Sequence, residues 1–368
     1  MPLSRAAGDA GEALYSQSYQ EARARFCGAA HAAGFELRSY PLAATGPDGE
    51  PLAIDVALHP HARAKRTLVI SSGTHGVEGY FGSAVQLGVL QDPGLLTQAK
   101  QSVSLVLIHA LNPYGFAHYR RSNELNVDQN RNFVLDGARF SGAPAGYREL
   151  DALLNPKSAP GRFDPFYLRA GAAVLRSGFR QLKNAVAQGQ YEFPRGLFFG
   201  GTGPSQSQHI LRNELSAWLG TPERVLHLDM HTGVGRWGSY ALCIDLPEKE
   251  ARVTELKLEF GASEVQGFSA EGVLYEIRGA LGPWLEQCTP GIRYDCLLTE
   301  FGTYPGLAVL AALRYDNRVR HYASDDARRV REARERMLQA FCPRAPAWRR
   351  QAIASALRIV SQALRALA

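Results

Sequence analysis

The chain has 368 residues, 45% of them hydrophobic and 21% charged, which is enough apolar material for a sizeable core. Its net charge of +6 comes from a late excess at Arg314, Arg318, Arg320, Arg328, Arg329, Arg331, Arg334 and Arg336. Glu332 and Glu335 are interleaved there, so the run reads as a solvated helix face. With no aromatics woven into a basic groove and no reading module, a nucleic-acid partner is not expected. No segment approaches the roughly 20 apolar residues of a membrane helix, so no membrane partner is expected either. Met1–Gln20 lacks the basic region and apolar core of a secretory signal, and a cytoplasmic location is expected. Five scattered cysteines without a CxxC pair argue against a disulfide framework or a thiolate metal site.

In chain order, helical spacing runs from about Ala10 to Ala33 and stops near Gly34. Two extended runs, Glu36–Leu42 and Leu52–His59, flank Gly46-Pro47-Asp48-Gly49 and predict a hairpin. Arg66–Ser71 is a short β-branched run, a buried strand, followed by the loop Ser72–Gly79 and a helix over about Tyr80–Leu90. Val103–His109, Val225–Met230 and Asp295–Thr299 read as further buried strands. The stretch from 134 to 224 is a long insertion holding Gly/Pro clusters and a helix from about Tyr167 to Ala187. Apolar positions at helical spacing from Pro346 to Ala368 predict a docking helix rather than a membrane anchor. Strands alternating with helices predict one α/β domain, an α/β/α sandwich on a mixed, mainly parallel twisted sheet. In such sheets ligands bind beyond the carboxyl ends of the strands, where most of the polar clusters fall.

His75 and Glu78 lie three apart on a loop running into a helix. The pair is suited to a metal ion, yet it arises by chance in many chains. Asp229-Met230-His231-Thr232-Gly233, after a buried strand, adds a second histidine and completes a His/Glu/His set with one open position. Asn126–Phe133 packs amides, a carboxylate and a guanidinium together. Its Arg131 offers a planar fork for a carboxylate, and Asp128 could set the tautomer of a ligand histidine. Glu300 ends an apolar strand, where an acidic group must face a polar pocket, and a glutamate beside activated water is a competent general base. His227 reads as a core histidine on the same strand face as His231 but deeper, and His109 as a possible pocket residue. Gly200–Ser205 lacks a phosphate-loop ending and reads as a substrate rim.

His75-Gly76-Val77-Glu78, Arg121, Asp128-Gln129-Asn130-Arg131-Asn132-Phe133, His231 and Glu300 resemble, in this order, the zinc metallocarboxypeptidases. The resemblance covers roughly residues 50 to 310, and the D-x-N-R-N-F block is its most specific part. It implies one zinc ion held by His75, Glu78 and His231, with Asp128 orienting His75. It implies that Asn130 and Arg131 grip the substrate carboxylate and that Arg121 stabilises the oxyanion. It implies too that Tyr275 closes over the substrate and that Glu300 takes a proton from water at the zinc and passes it to the leaving amine. The expected function is cleavage of a C-terminal peptide bond in a small peptide, with the side-chain pocket near Gly279–Trp284 and in the long insertion.

Phe-Gly-Thr after Glu300 and the long insertion, expected to add a rim or lid, depart from the digestive enzymes. The Asp229–Gly233 block is similar to the succinylglutamate desuccinylase and aspartoacylase branch, which implies deacylation of N-acyl amino acids as the alternative. A non-catalytic binding protein of the same fold is the third reading. A complete ligand set and Glu300 weigh against it.

Overall fold

A computed structural model of the protein describes residues 11–61, 64–178, 188–268 and 277–368. Its strands are β1 (Glu36–Thr45), β2 (Pro51–His59), β3 (Arg66–Ser71), β4 (Ser104–His109), β5 (Arg224–Gly233), β6 (Tyr240–Pro247), β7 (Val265–Phe268) and β8 (Arg293–Gly302). They form one sheet in the order β1-β2-β4-β3-β5-β8-β6-β7. The centre, β4-β3-β5-β8, is parallel, while β1 with β2, β2 with β4 and β6 with β8 are antiparallel. The expected hairpin is β1–β2, and Gly49 takes the positive φ (80°) that its turn needs.

Helices cover both faces. On one lie α1 (Tyr19–Ala32), α2 (Gly79–Gln91), α3 (Pro93–Ser102) and, after a short α4 (Pro113–Ala117), the distant C-terminal helix. The insertion supplies α5 (Ala145–Leu154), α6 (Phe166–Ser177) and α7 (Gln206–Leu219); beyond it come α8 (Ala251–Phe260) and α9 (Leu281–Cys288). Helices α7 and α9 pack Leu211, Leu215, Trp218, Trp284 and Leu285 on the opposite face. The fold is thus an α/β/α sandwich on a mixed sheet.

The chain closes with α10 (Gly306–Tyr322), α11 (Ala327–Phe341) and α12 (Pro346–Ala366). α12 lies where helical spacing expects it and buries Trp348, Ile353, Ile359, Val360 and Leu364. Each such side chain contributes roughly 1.5–3 kcal/mol. Trp348 Nε1 also donates to Gly302 O at 2.8 Å, which ties α12 to the end of β8. No described helix is long and apolar enough to cross a membrane.

Several expectations shift. α1 starts at Tyr19 because the Ser18 hydroxyl accepts from Glu21 N and caps it there. The insertion holds three described helices instead of one, and the helix expected to reach Ala187 is described only to Ser177, residues 179–187 lying outside the described set. The arginine run is only partly solvated. Arg328 and Arg336 do pair with Glu332 along α11. Arg314 and Arg318, however, are buried and both clamp Asp164 of the insertion, and Arg320 donates to the carbonyls of Asn123 and Glu124. The cysteines form no disulfide, and Cys243, Cys296 and Cys342 are buried.

Candidate metal centre

β3, β5 and β8 end side by side, and each delivers one element of the site. After β3 the chain turns through a 3-10 segment, Gly76–Glu78, which folds Glu78 back beside His75. Only glycine fits at 76: a Cβ there would lie 2.1 Å from the Gly115 carbonyl carbon. The turn is pinned from outside, with Gly76 N donating to Arg121 O and Val77 N to Arg120 O. That strap carries Arg121 to the same place.

His75 Nδ1 lies 3.0 Å from Glu78 Oε1, His231 Nδ1 3.1 Å from Glu78 Oε2, and the two Nδ1 atoms 3.2 Å apart. Ligand atoms of all three buried residues fall within 4.8 Å of one another. Two imidazole nitrogens and a carboxylate on one point is the donor chemistry of a catalytic zinc site, so the residues fit a divalent ion.

The far nitrogens are each held by a carboxylate. His75 Nε2 is 3.1 Å from Asp128 Oδ1, the partner expected from sequence. Asp128 also accepts from Arg121 Nε (2.8 Å) and Asn130 N (3.1 Å). The partner of His231 was not anticipated: Nε2 lies 2.5 Å from Asp229 Oδ2, two residues back on β5. Asp229 accepts in turn from Ser71 Oγ and Thr74 Oγ1. Since Ser71 gives its one proton to Asp229, it accepts from His227 Nε2 (2.7 Å), leaving His227 Nδ1 to accept from Tyr294 OH (3.0 Å). His227 is thus a buried core group, as its place on the strand predicts. Each histidine carries its own brace, which fixes the ring and leaves Nδ1 pointing at Glu78.

Charge follows the geometry. Burial works to raise the Glu78 carboxyl, but the imidazoles of His75 and His231 outweigh it and pull it down to about 2. Burial opposes charge on His231 too, yet Asp229 and Glu78 hold its imidazole protonated well above the usual histidine range. Asp128 is held well below the carboxylate range, Arg121 and His75 overcoming burial. Glu300 sits opposite His231 in the β5–β8 register and accepts from Val234 N at 2.7 Å. Burial, and then the Glu78 carboxylate, push it up to about 7.

Arg131 and Asn130 line the same cavity, of about 1050 Å³, as His75, Glu78, Arg121, His231 and Glu300. Arg131 is buried against insertion residues. A Cβ on Gly189 would come within 2.5 Å of its Cδ, Tyr191 OH donates to its carbonyl, and the Phe198 ring lies 5.9 Å from its Cζ. Asn130 Oδ1 accepts from Leu281 N. Tyr275 lies outside the described residues. The insertion contributes one wall of the cavity through Leu150, Phe166 and Phe198. Gly200–Ser205, expected at the rim, is instead stitched to Asn132, which donates to Gly200 O and Gly203 O and accepts from Ser205 N. Trp284 is fully buried in the core, so the cavity is bounded on that side by Ile277, Cys243 and Gln266 instead of by the 279–284 segment. His109 faces the other side of the sheet, stacked on Phe26. Asp245, on the same face of β6 as Cys243, was also missed; burial pushes it up to about 6.

Solved structures of similar fold include three carboxypeptidase-like chains. One is bovine thrombin-activatable fibrinolysis inhibitor in complex with tick carboxypeptidase inhibitor, with 13% identity over 94% of this chain and 98% of that one (TM-score 0.46). Another is carboxypeptidase A from Helicoverpa armigera, with 11% identity over 88% and 74% (TM-score 0.45). The third is a metallo-carboxypeptidase from Pseudomonas aeruginosa in complex with (2-guanidinoethylmercapto)succinic acid, with 14% identity over 86% and 66% (TM-score 0.40). No curated protein matches the sequence. A family model described as "Protein of unknown function (DUF2817)" matches residues 15–355, and the chain belongs to that family.

Proposed function

We propose that the protein is a metal-dependent amide hydrolase, with zinc as the metal and a substrate that presents a free carboxylate beside the bond to be cut. The observation that carries this reading is the convergence of His75 Nδ1, His231 Nδ1 and the Glu78 carboxylate next to Glu300 on the adjoining strand. When bound by His75, Glu78 and His231, the ion supplies Lewis acidity, lowering the pKa of water and polarising the scissile carbonyl. Glu300, raised towards neutrality, takes the proton of the attacking water and delivers it to the leaving amine. Arg121, held by Asp128 Oδ2 at 2.8 Å, turns its guanidinium to the carbonyl oxygen as negative charge develops there. Arg131 and Asn130 anchor the substrate carboxylate and set the register of the bond over Glu300. Tyr275 is kept as the group that closes over the substrate.

The first form of this reaction is release of a C-terminal residue from a small peptide. The second is deacylation of an N-acyl amino acid, which uses the same anchor and base. The test is a hydrolysis screen of purified, zinc-loaded protein on both substrate types, with and without a strong chelator. Chelator-sensitive release of an amino acid is expected. Hydrolysis that survives the chelator, or metal analysis finding no bound ion, would sink the reading.

A further inference from the structure

The cavity is divided in chemistry. The charged groups His75, Glu78, Arg121, Arg131, His231 and Glu300 line the metal end, with Ser239, Tyr240 and Gln266 adding polar groups on the β6–β7 side. The wing built by α5, α6 and α10 differs: every lining residue those three helices supply is apolar. Each helix turns one stripe inward, Leu150/Leu153/Leu154, Phe166/Ala170/Val174 and Val309/Leu310/Leu313, at the three- and four-residue spacing of a single helix face. Phe198 joins the two ends, its ring 5.4 Å from Arg121 Cζ and packed with Leu310 against a cluster of Val309, Leu313 and Phe341 and another of Tyr147, Leu150 and Leu154.

At about 1050 Å³ the space lies at the top of the range for small-molecule sites, roughly 300–1,000 Å³. An acetylated amino acid or a dipeptide fills the charged end and leaves the apolar wing to water that has no hydrogen-bond partners there. Displacing such water with hydrocarbon is favourable.

We infer that the wing houses a long apolar acyl chain, and that the substrate is a long-chain N-acyl amino acid: carboxylate on Arg131, amide at the metal centre, chain between α5, α6 and α10. This rests on the hydrolase reading above and names its substrate class. Water adds across the amide, so a fatty acid and a free amino acid leave, and no other reactant is needed.

Two measurements test it separately from that reading. In Glu300→Gln, binding of N-acetyl-, N-hexanoyl- and N-dodecanoyl-glycine is read by displacement of a fluorescent fatty acid. Full burial of a methylene is worth roughly three- to fourfold in affinity, so the dodecanoyl compound is expected to bind at least about tenfold more tightly than the acetyl one. Val174→Phe and Leu310→Phe, on different helices, each narrow the wing and flatten that dependence in whichever variant retains the wild-type unfolding transition. Equal binding of all three compounds overturns the inference. In the zinc-loaded wild type, kcat/KM is expected to climb along the same series and vanish with chelator. Tight dodecanoyl binding with no hydrolysis keeps the inference about the ligand and overturns the hydrolase reading. Chelator-sensitive hydrolysis indifferent to chain length does the reverse.

Discussion

β4 and β5 lie on either side of β3, and each carries a buried histidine at its carboxyl end. The two residues have opposite characters. His109, at the end of β4, lies among Phe26, Tyr19 and Phe116, with Ser83 Oγ at 3.1 Å from Nε2 and no hydrogen-bond partner for Nδ1 among the described residues. Burial pushes it down to about 4, outweighing the Asp55 carboxylate opposite it on β2, so it is a neutral ring in a core. His231, at the end of β5, lies between Asp229 and Glu78 and stays protonated well above the usual range. Strand-end position, burial and residue type are shared. Carboxylates within hydrogen-bond reach of both ring nitrogens make His231 a candidate ligand, whereas Asp55, the carboxylate opposite His109, is taken up by Arg23.

The sharpest way to break this contrast is to remove each ring. His231→Ala is expected to lose stoichiometric metal and to drop hydrolysis to background, read by metal analysis and initial rates. His109→Phe is expected to keep both, with a stability change within about 1.5 kcal/mol in denaturant unfolding, as for a volume-conserving core swap. Equal metal loss in the two variants would dissolve the distinction. Glu300→Gln comes next: metal content is kept and kcat falls by roughly 10²–10⁴-fold, the usual contribution of a general base. Asp229→Asn tests the brace and is expected to weaken metal affinity by about 10–100-fold, measured by competition with a chromogenic chelator. Arg131→Ala is expected chiefly to raise KM for carboxylate-bearing substrates, with kcat less affected.

The smallest expected effect is in pH. Glu300 must be ionised to act, and its carboxyl sits near 7. Activity therefore falls as pH drops through that value. A nearby dication favours the carboxylate, so the acid limb of kcat/KM should lie at or below about 7. His231 gives the same sign for metal affinity: its raised pKa means that a proton competes with the ion, and binding weakens as pH falls. An acid limb above pH 8 would remove Glu300 from the role of base.

What could be read from sequence is what is local. Arg66–Ser71, Val103–His109, Val225–Met230 and Asp295–Thr299 announce buried strands because consecutive apolar residues have few other uses, and the polar clusters follow those strands directly. The structure brings His75, Glu78, Arg121, Asp128, Asn130, Arg131, His231 and Glu300 to one end of one cavity. Asp229 was legible in principle. An acid two residues before a strand-end histidine shares its face, but the signal is a single residue. β6 and β7 gave no pattern, β7 being short and β6 interrupted by Asp245. The burial of Arg314 and Arg318 depends on Asp164, some 150 residues away, and the apolar wing depends on three helices drawn from two distant stretches of the chain. Such features are properties of assembly, and no window of sequence contains them.

The two braces have an effect on the whole pocket. Glu78, Asp128, Asp229 and Glu300 bring four carboxylates to its charged end, against the guanidinium groups of Arg121 and Arg131, the third lining arginine, Arg236, being exposed to solvent. With neutral imidazoles this leaves two negative charges in surroundings that solvate charge poorly. Either two protons or one doubly charged ion restores balance, and the two compete for the same few atoms. The pocket is in this sense an ion exchanger: loading it with a divalent metal in unbuffered solution should acidify that solution, and acidifying the solution should drive the metal out.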